Sequence, residues 1–133
     1  MAVRPHSLGM VFHVIDDQPF ICFFISEVLC NLGHEVETFT SSERYMEYLE
    51  SPGYLVPTAV FTDITMPFIS GYELMEAVHR QFPETHVVLM SGVGEINSRY
   101  KGCGCTFLRK PFDMDVFESV VDSMPSPQHY RQV

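Results

Sequence analysis

Five polar residues each stand where a short apolar run of the sequence ends. They are Asp16, Asp17, Asp63, Ser91 and Lys110. Three carboxylates in one crevice raise each other's pKa unless a cation neutralises them, and an all-oxygen ligand set favours Mg²⁺ above Ca²⁺ or Zn²⁺. An aspartate can also be a covalent nucleophile that forms an acyl phosphate. With Lys110 as a mobile positive charge and Ser91 as a hydroxyl donor, the set suits phosphoryl transfer.

The apolar pattern predicts that these residues meet at one edge of a sheet. Short apolar runs alternate with helical patterns, which predicts five strands, five helices and an α/β fold with a doubly wound parallel sheet. The predicted strands are Val11–Ile15, Glu35–Phe39, Thr58–Thr62, His86–Met90 and Cys105–Leu108. Several are apolar throughout, as in sheets covered on both faces. Ligands of such sheets bind outside the carboxyl ends of the strands, where the five polar residues fall.

The predicted helices are marked by their ends and by an apolar face. The first begins near Pro19 and stops before Gly33. The second opens on a capping-box pattern at residues 40–43, the third runs from Ser70-Gly71 to Pro83, a short fourth covers residues 95–101, and Asp113 caps the last. The side chains expected to face inward are Phe20, Phe24, Val28, Leu32, Tyr45, Tyr48, Leu49, Leu74, Met75, Val78, Phe82, Val116, Phe117, Val120 and Val121.

Composition narrows the classes of partner. The 133 residues suit one domain, which we place at residues 10–124 between tails at 1–9 and 125–133. Seventeen acidic residues against eight basic ones give a net charge of −9, which argues against tight nucleic-acid binding and against an anionic membrane surface. No apolar run approaches the ~20 residues of a membrane span, and no secretory signal is recognisable. We therefore expect a cytoplasmic protein.

The cysteines and histidines are expected to be structural. Cys22 and Cys30 lie in an apolar helical stretch and are predicted to be buried, and the Cys103-Gly-Cys105 pair lacks a second pair for a zinc site. This usage fits a reducing compartment. His13 lies within the first strand, where we expect it to be packed or bonded to the backbone, whereas the other histidines are expected at the surface or at strand edges.

Four segments, in order, resemble the receiver domain of two-component response regulators and hybrid histidine kinases, the CheY-like family. They are Val14–Asp17, Phe61–Leu74, Val88–Gly92 and Phe107–Phe112, and the resemblance covers about residues 10–124. It implies a flavodoxin-like fold with strand order 2-1-3-4-5 and helices on both faces. It also implies a phosphorylation switch in two-component signalling.

The resemblance further implies roles for individual residues. Asp63 would accept the phosphoryl group from the phosphohistidine of a histidine kinase or a histidine phosphotransfer protein. Asp17 and Asp63 would ligate Mg²⁺ directly, Asp16 would do so directly or through water, and the backbone carbonyl of Thr65 would complete the set. The reaction would be self-catalysed, with slow autodephosphorylation.

Three further residues take switching or binding roles by the same resemblance. Ser91 would bond a phosphoryl oxygen and move toward it on activation, and Lys110 would pair with Asp63 or the phosphoryl group. Phe107 stands where the family has an inward-turning Tyr or Phe, and it can switch by packing alone. The separation of Ser91 and Lys110 is shorter than the family's, so the fourth helix should be short or irregular. The face formed by that helix, the fifth strand and the last helix is a possible partner or homodimer surface.

Three alternatives remain open from the sequence. The chain could be a receiver module cut from a hybrid kinase or a longer regulator. It could be a pseudo-receiver that only binds partners, against which the complete set of five polar residues argues. An Asp-nucleophile phosphatase is disfavoured because Thr65 stands where such enzymes carry a second aspartate.

Overall fold

The computed structural model describes residues 10–92 and 105–124. In chain order this part contains β1 (Val11–Ile15), α1 (Pro19–Asn31), β2 (Glu35–Phe39), α2 (Ser42–Leu49), β3 (Ala59–Asp63), α3 (Gly71–Gln81), β4 (His86–Ser91), β5 (Thr106–Arg109) and α4 (Met114–Asp122). The helix predicted over residues 95–101 lies outside the described residues. No described helix has both the length and the apolar character needed to cross a membrane.

The five strands form one sheet in the order β2-β1-β3-β4-β5, and every neighbouring pair is parallel. The predicted doubly wound sheet and its strand order are therefore confirmed. Strand ends lie in register, with Ile15 opposite Thr62, Asp63 opposite Met90 and Ser91 opposite Arg109. Because all strands run the same way, the carboxyl ends of β1, β3, β4 and β5 meet at one edge.

Two apolar layers cover the sheet, one on each face, because successive strand residues point to opposite sides. Phe12 and Val14 of β1 belong to the layer that α1 and α4 cover, whereas Ile15 belongs to the layer of α2 and α3. β2 is an edge strand with no buried residue, as its weak apolar pattern indicated.

The predicted apolar face of α1 is confirmed at Phe24, Val28 and Leu32, which are buried or packed against the core, and is wrong at Phe20. Phe20 is 66% exposed, and the buried residues are Cys22, Ile25, Val28 and Leu29. An almost wholly apolar helix has no polar face to mark its orientation, so docking against β1 decides which side is buried. Cys22 is buried as expected, but Cys30 is exposed, so the prediction of a buried thiol was wrong there.

The N-caps of α2 and α4 and the orientation of Val116 can also be compared with the predictions. The N-cap of α2 is Ser41, whose hydroxyl accepts from Arg44 N, so the capping box expected between Thr40 and Glu43 does not form. Asp113 caps α4 as predicted. Val116 was expected inward but is 47% exposed, because Phe117 takes the buried position one residue later.

A buried aromatic cluster surrounds His13 on the α2 side of the sheet. The His13 Nδ1 atom lies 2.8 Å from the Tyr45 hydroxyl, which in turn bonds the Tyr54 hydroxyl. The rings of Phe39 and Tyr48 also pack against the imidazole. Burial lowers the pKa of His13 to about 4, so the imidazole is neutral in the folded protein at pH 7. The expectation that His13 is packed is confirmed, although its bonding partner is a side chain.

Candidate functional site

Three carboxylates converge at the carboxyl edge of the sheet. Asp16 and Asp17 follow β1 and Asp63 ends β3, and one oxygen from each lies within 4.8 Å of the others. Asp16 is fully buried and Asp63 is nearly so, while Asp17 is exposed. The site is therefore open to solvent on the side of Asp17, while the carboxylates of Asp16 and Asp63 are buried.

Asp16 is held on both of its carboxylate oxygens. Oδ1 accepts from the backbone N–H of Gln18 at 2.9 Å, and Oδ2 accepts from Lys110 Nζ at 2.7 Å. Its backbone N–H donates to Phe39 O at 3.0 Å, and its carbonyl accepts from the Cys22 thiol at 3.5 Å. A carboxylate removed from water needs such partners. Sequence reasoning missed Gln18 and Cys22, although an N–H at the start of a helix beside an aspartate is a recognisable signal.

Lys110 reaches two carboxylates from the loop after β5. Its ammonium lies 2.7 Å from Asp16 and 3.4 Å from Asp63 Oδ1, and its backbone N–H donates to Ser91 O at 2.7 Å. The peptide bond to Pro111 is cis. Burial opposes the ammonium charge, but the hydrogen bond and charge of Asp16, followed by those of Asp63, outweigh it and raise the pKa of Lys110.

The electrostatics of Asp63 reflect its crowded position. Burial and the neighbouring charge of Asp16 raise its pKa to about 6, against the opposing effect of Lys110, and Asp17 adds a smaller increase. Asp63 therefore ionises only at the cost of placing negative charge beside negative charge. Such a carboxylate gains from a cation that neutralises it.

The remaining predicted site residues come from β4, β5 and the loop after β3. Ser91 ends β4 and is buried, and its Oγ has no hydrogen-bond partner among the residues that the structure describes. A buried hydroxyl in this state has unused donor capacity, which an anionic group could take. Thr65 lies exposed in the loop after β3, and Phe107 of β5 is half-buried against the α2 and α3 layer, opposite Leu89.

The donor chemistry of the cluster fits Mg²⁺. All of the side-chain ligands that it offers are carboxylate oxygens, and two of them are buried together with a single ammonium as their counterion in the described structure. Hard oxygen donors of this kind suit Mg²⁺ better than softer transition metals. The arrangement could bind a divalent cation and present Asp63 as a nucleophile beside it.

A match to a known family agrees with the fold. Residues 12–122 match the family model described as the response regulator receiver domain. The match covers most of the chain, and the chain belongs to this family.

Individual relatives are similar at modest identity. NtrC, a DNA-binding transcriptional regulator of Klebsiella pneumoniae, is 26% identical over 122 residues, which make up 90% of this chain and 25% of that protein. The response regulator Rre1 of Synechocystis sp. is 28% identical over 121 residues, or 86% of this chain and 51% of that protein. The chain thus spans about a quarter of NtrC and about half of Rre1.

Solved structures of receiver domains superpose on the fold. The BeF3-activated DrrB receiver domain has a TM-score of 0.71 at 29% identity and covers 85% of this chain and 94% of its own. The receiver domain of NtrX from Brucella abortus has a TM-score of 0.72 at 28% identity, and the match covers 84% of this chain and 94% of that domain. The flavodoxin-like receiver fold inferred from the sequence is confirmed.

Proposed function

We propose that this receiver domain is a phosphorylation switch in which Asp63 accepts a phosphoryl group in a Mg²⁺-dependent reaction. The observation that carries the proposal is the meeting of Asp16, Asp17 and Asp63 with the Lys110 ammonium at one sheet edge. A solitary acidic cluster would serve metal binding alone. The Lys110 ammonium adds a positive charge, and the Ser91 hydroxyl, which has no hydrogen-bond partner among the described residues, adds a donor, so both can stabilise a transferred phosphoryl group.

Each residue has a defined part in this mechanism. Asp16, Asp17, Asp63 and the backbone carbonyl of Thr65 would hold Mg²⁺, which when bound supplies positive charge to the phosphoryl oxygens. The Asp63 carboxylate attacks phosphorus as the bond from phosphorus to the donor's nitrogen breaks, which gives an acyl phosphate and, once the departing ring has taken a proton from solvent, a free imidazole.

Lys110 and Ser91 act after the new bond begins to form. Lys110 already lies 3.4 Å from Asp63 Oδ1, and it can exchange its partner Asp16 for a phosphoryl oxygen. Ser91 would donate its hydroxyl to another phosphoryl oxygen, and Phe107 would repack beside it. This coupling makes the reaction self-catalysed, since the residues that would hold Mg²⁺ and the two side chains that stabilise the phosphoryl group all belong to the receiver.

The donor in this proposal is a histidine kinase or a histidine phosphotransfer protein, because a phosphohistidine carries a phosphoryl group on nitrogen that a carboxylate can accept. The relatives NtrC and Rre1 are longer than the part of them that this chain matches. The proposal therefore concerns the phosphorylation chemistry alone and does not specify what the switch controls.

The test is phosphorylation by a small acyl-phosphate donor, which removes the need for a cognate kinase. Wild-type protein incubated with the donor and Mg²⁺ should gain the mass of one phosphoryl group. The gain should disappear in Asp63→Asn and when the metal is chelated. Asp122→Asn, an exposed change on α4, is the matched control and should behave as wild type. Wild-type protein that stays unmodified would overturn the proposal.

A further inference from the structure

The first turn of α3 presses against the backbone of the proposed phosphoacceptor. A Cβ placed on Gly71 would lie 2.3 Å from the Asp63 carbonyl oxygen, 2.8 Å from Ile64 Cα and 3.0 Å from the Asp63 carbonyl carbon. All three are backbone atoms, so no side-chain rotation can relieve the overlap. A contact under 3 Å is far inside van der Waals distance.

Neither side of this contact is free to move away. The Gly71 N–H donates to Ile64 O at 2.8 Å, and the Ile64 N–H donates to Met90 O at 2.9 Å. The Thr62 hydroxyl donates to the Asp63 carbonyl at 3.1 Å. These hydrogen bonds fix the position of the Asp63-Ile64 peptide at the point where the Asp63 side chain enters the site.

The helix is equally fixed. Ser70 and Glu73 form a complete capping box at its start. Leu74 and Met75 then anchor it in the α2 and α3 layer. Alanine favours a helix over glycine, so glycine at the first helical position works against the stability of the helix itself. In compensation, glycine permits the close approach of α3 to the Asp63 backbone.

We propose that Gly71 is a positioning residue for Asp63: its lack of a side chain sets the separation between α3 and the Asp63 backbone. A larger residue there pushes the Asp63-Ile64 peptide and so moves the Asp63 carboxylate relative to Lys110 and the other two aspartates. The inference rests on the proposed function of Asp63 and adds a residue that touches neither metal nor phosphoryl group.

The experiment compares wild type with Gly71→Ala, Ser70→Ala and Gly53→Ala. Ser70→Ala weakens the start of the same helix without the overlap, and Gly53→Ala makes the same chemical change where nothing lies within 4 Å. Mg²⁺ affinity is measured by calorimetry, and phosphorylation by a small acyl phosphate is followed by intact mass, at a temperature where all four proteins are folded.

Gly71→Ala should lose about tenfold or more in both Mg²⁺ affinity and phosphorylation rate, the scale seen when residues supporting metal ligands are changed. The two controls should stay within about twofold of wild type, a change small beside that scale. A folded Gly71→Ala with wild-type affinity and rate would overturn the inference while leaving the proposed function intact. Failure of wild type itself to be phosphorylated would instead overturn the proposed function.

Two further measurements keep the inference testable if Gly71→Ala folds poorly. The four proteins can be compared in trimethylamine N-oxide, which favours the folded state. In wild-type protein alone, the amide resonance of Gly71 should shift together with that of Asp63 as Mg²⁺ is added. An Asp63 resonance that moves while that of Gly71 stays fixed would contradict the proposed contact.

Discussion

The Lys110 ammonium lies 2.7 Å from Asp16 and 3.4 Å from Asp63, so in the described structure the fully buried Asp16 is its closer partner. Lys110 thus holds the deepest carboxylate while remaining within reach of the proposed phosphoacceptor. The same ammonium can offset carboxylate charge in the site and later pair with a phosphoryl oxygen.

Lys110→Met should destabilise the metal-free protein by roughly 3 kcal/mol, since removing one partner of a buried ion pair leaves an uncompensated charge. It should also raise the pKa of Asp63 further above 6, because Lys110 is the group that lowers it. Urea unfolding at pH 7 and a carboxyl NMR titration measure the two effects. Arg109→Met, an exposed neighbouring change, is the control. Equal stability of the two variants would show that the ion pair contributes nothing.

Asp63→Asn should stabilise the metal-free protein at pH 7. The folded-state pKa of about 6 lies above the ordinary value of 3.8, so the folded protein keeps this proton longer than the unfolded chain. Stability is therefore lost as pH rises from 3.8 to 6, by up to roughly 3 kcal/mol at 1.36 kcal/mol per unit. The variant should gain stability at pH 7 and little at pH 4. A destabilised variant at pH 7, measured in chelator, would contradict this.

Mg²⁺ binding should weaken below pH 6. Bound metal must displace the proton from Asp63, whose pKa is about 6, so the apparent affinity should fall up to about tenfold per pH unit below that value. Saturating Mg²⁺ at about 100 times its Kd should stabilise the fold by roughly 2.7 kcal/mol. Calorimetric titrations at pH 5 and pH 7.5 provide the measurement. An affinity independent of pH over this range would exclude Asp63 as a ligand.

His13 should lower the stability of the protein as the pH falls, whereas Asp63 lowers it as the pH rises. Its folded pKa of about 4 lies below the ordinary value of 6.5, so the stability that His13 contributes is complete above 6.5 and is lost as pH falls toward 4. The loss should reach roughly 3 kcal/mol. His13→Phe should flatten this part of the stability profile, whereas the control Phe23→Ser, an exposed change that leaves every histidine in place, should keep the wild-type slope. A wild-type slope in His13→Phe would mean that the imidazole is accommodated when charged.

The exposed face of α1 predicts which apolar substitutions matter. Phe20→Ser and Phe23→Ser replace side chains that are 66% and 67% exposed, so each should change the free energy of unfolding by about 0.5 kcal/mol or less. Ile25→Ala removes a fully buried side chain and should cost about 2 to 5 kcal/mol. Urea unfolding of the three variants tests the orientation of the helix. A large loss at Phe20 would show that its side chain is buried, as the sequence predicted.

The sheet could be predicted because parallel strands buried on both faces have a strong apolar signal. The observed strand ends differ only slightly from the predicted ones, since Asp63 and Ser91 are the last residues of β3 and β4 rather than the first residues beyond them. The orientation of α1 was predicted only in part: Phe24, Val28 and Leu32 face the core as expected, but Phe20 does not. Its side chains are apolar on nearly every side, so packing selects which of them are buried.

The members of the candidate site could be predicted, but their bonding could not. Parallel strand order brings Asp16, Asp63 and Lys110 to one edge whatever the details of the loops. The closer pairing of Lys110 with Asp16, and the approach of Gly71 to the Asp63 carbonyl, depend on distances of a few ångströms. No spacing in the sequence encodes distances of that size.

The most direct test of the central claim is to locate the modified residue. Protein treated with an acyl-phosphate donor and Mg²⁺ is reduced with borohydride, which converts an aspartyl phosphate to the corresponding alcohol, and is then digested and sequenced by mass spectrometry. The account predicts that the alcohol is found at Asp63, with Asp16 and Asp17 unchanged. Modification at Asp16 or Asp17 in place of Asp63, or at no aspartate, would contradict it.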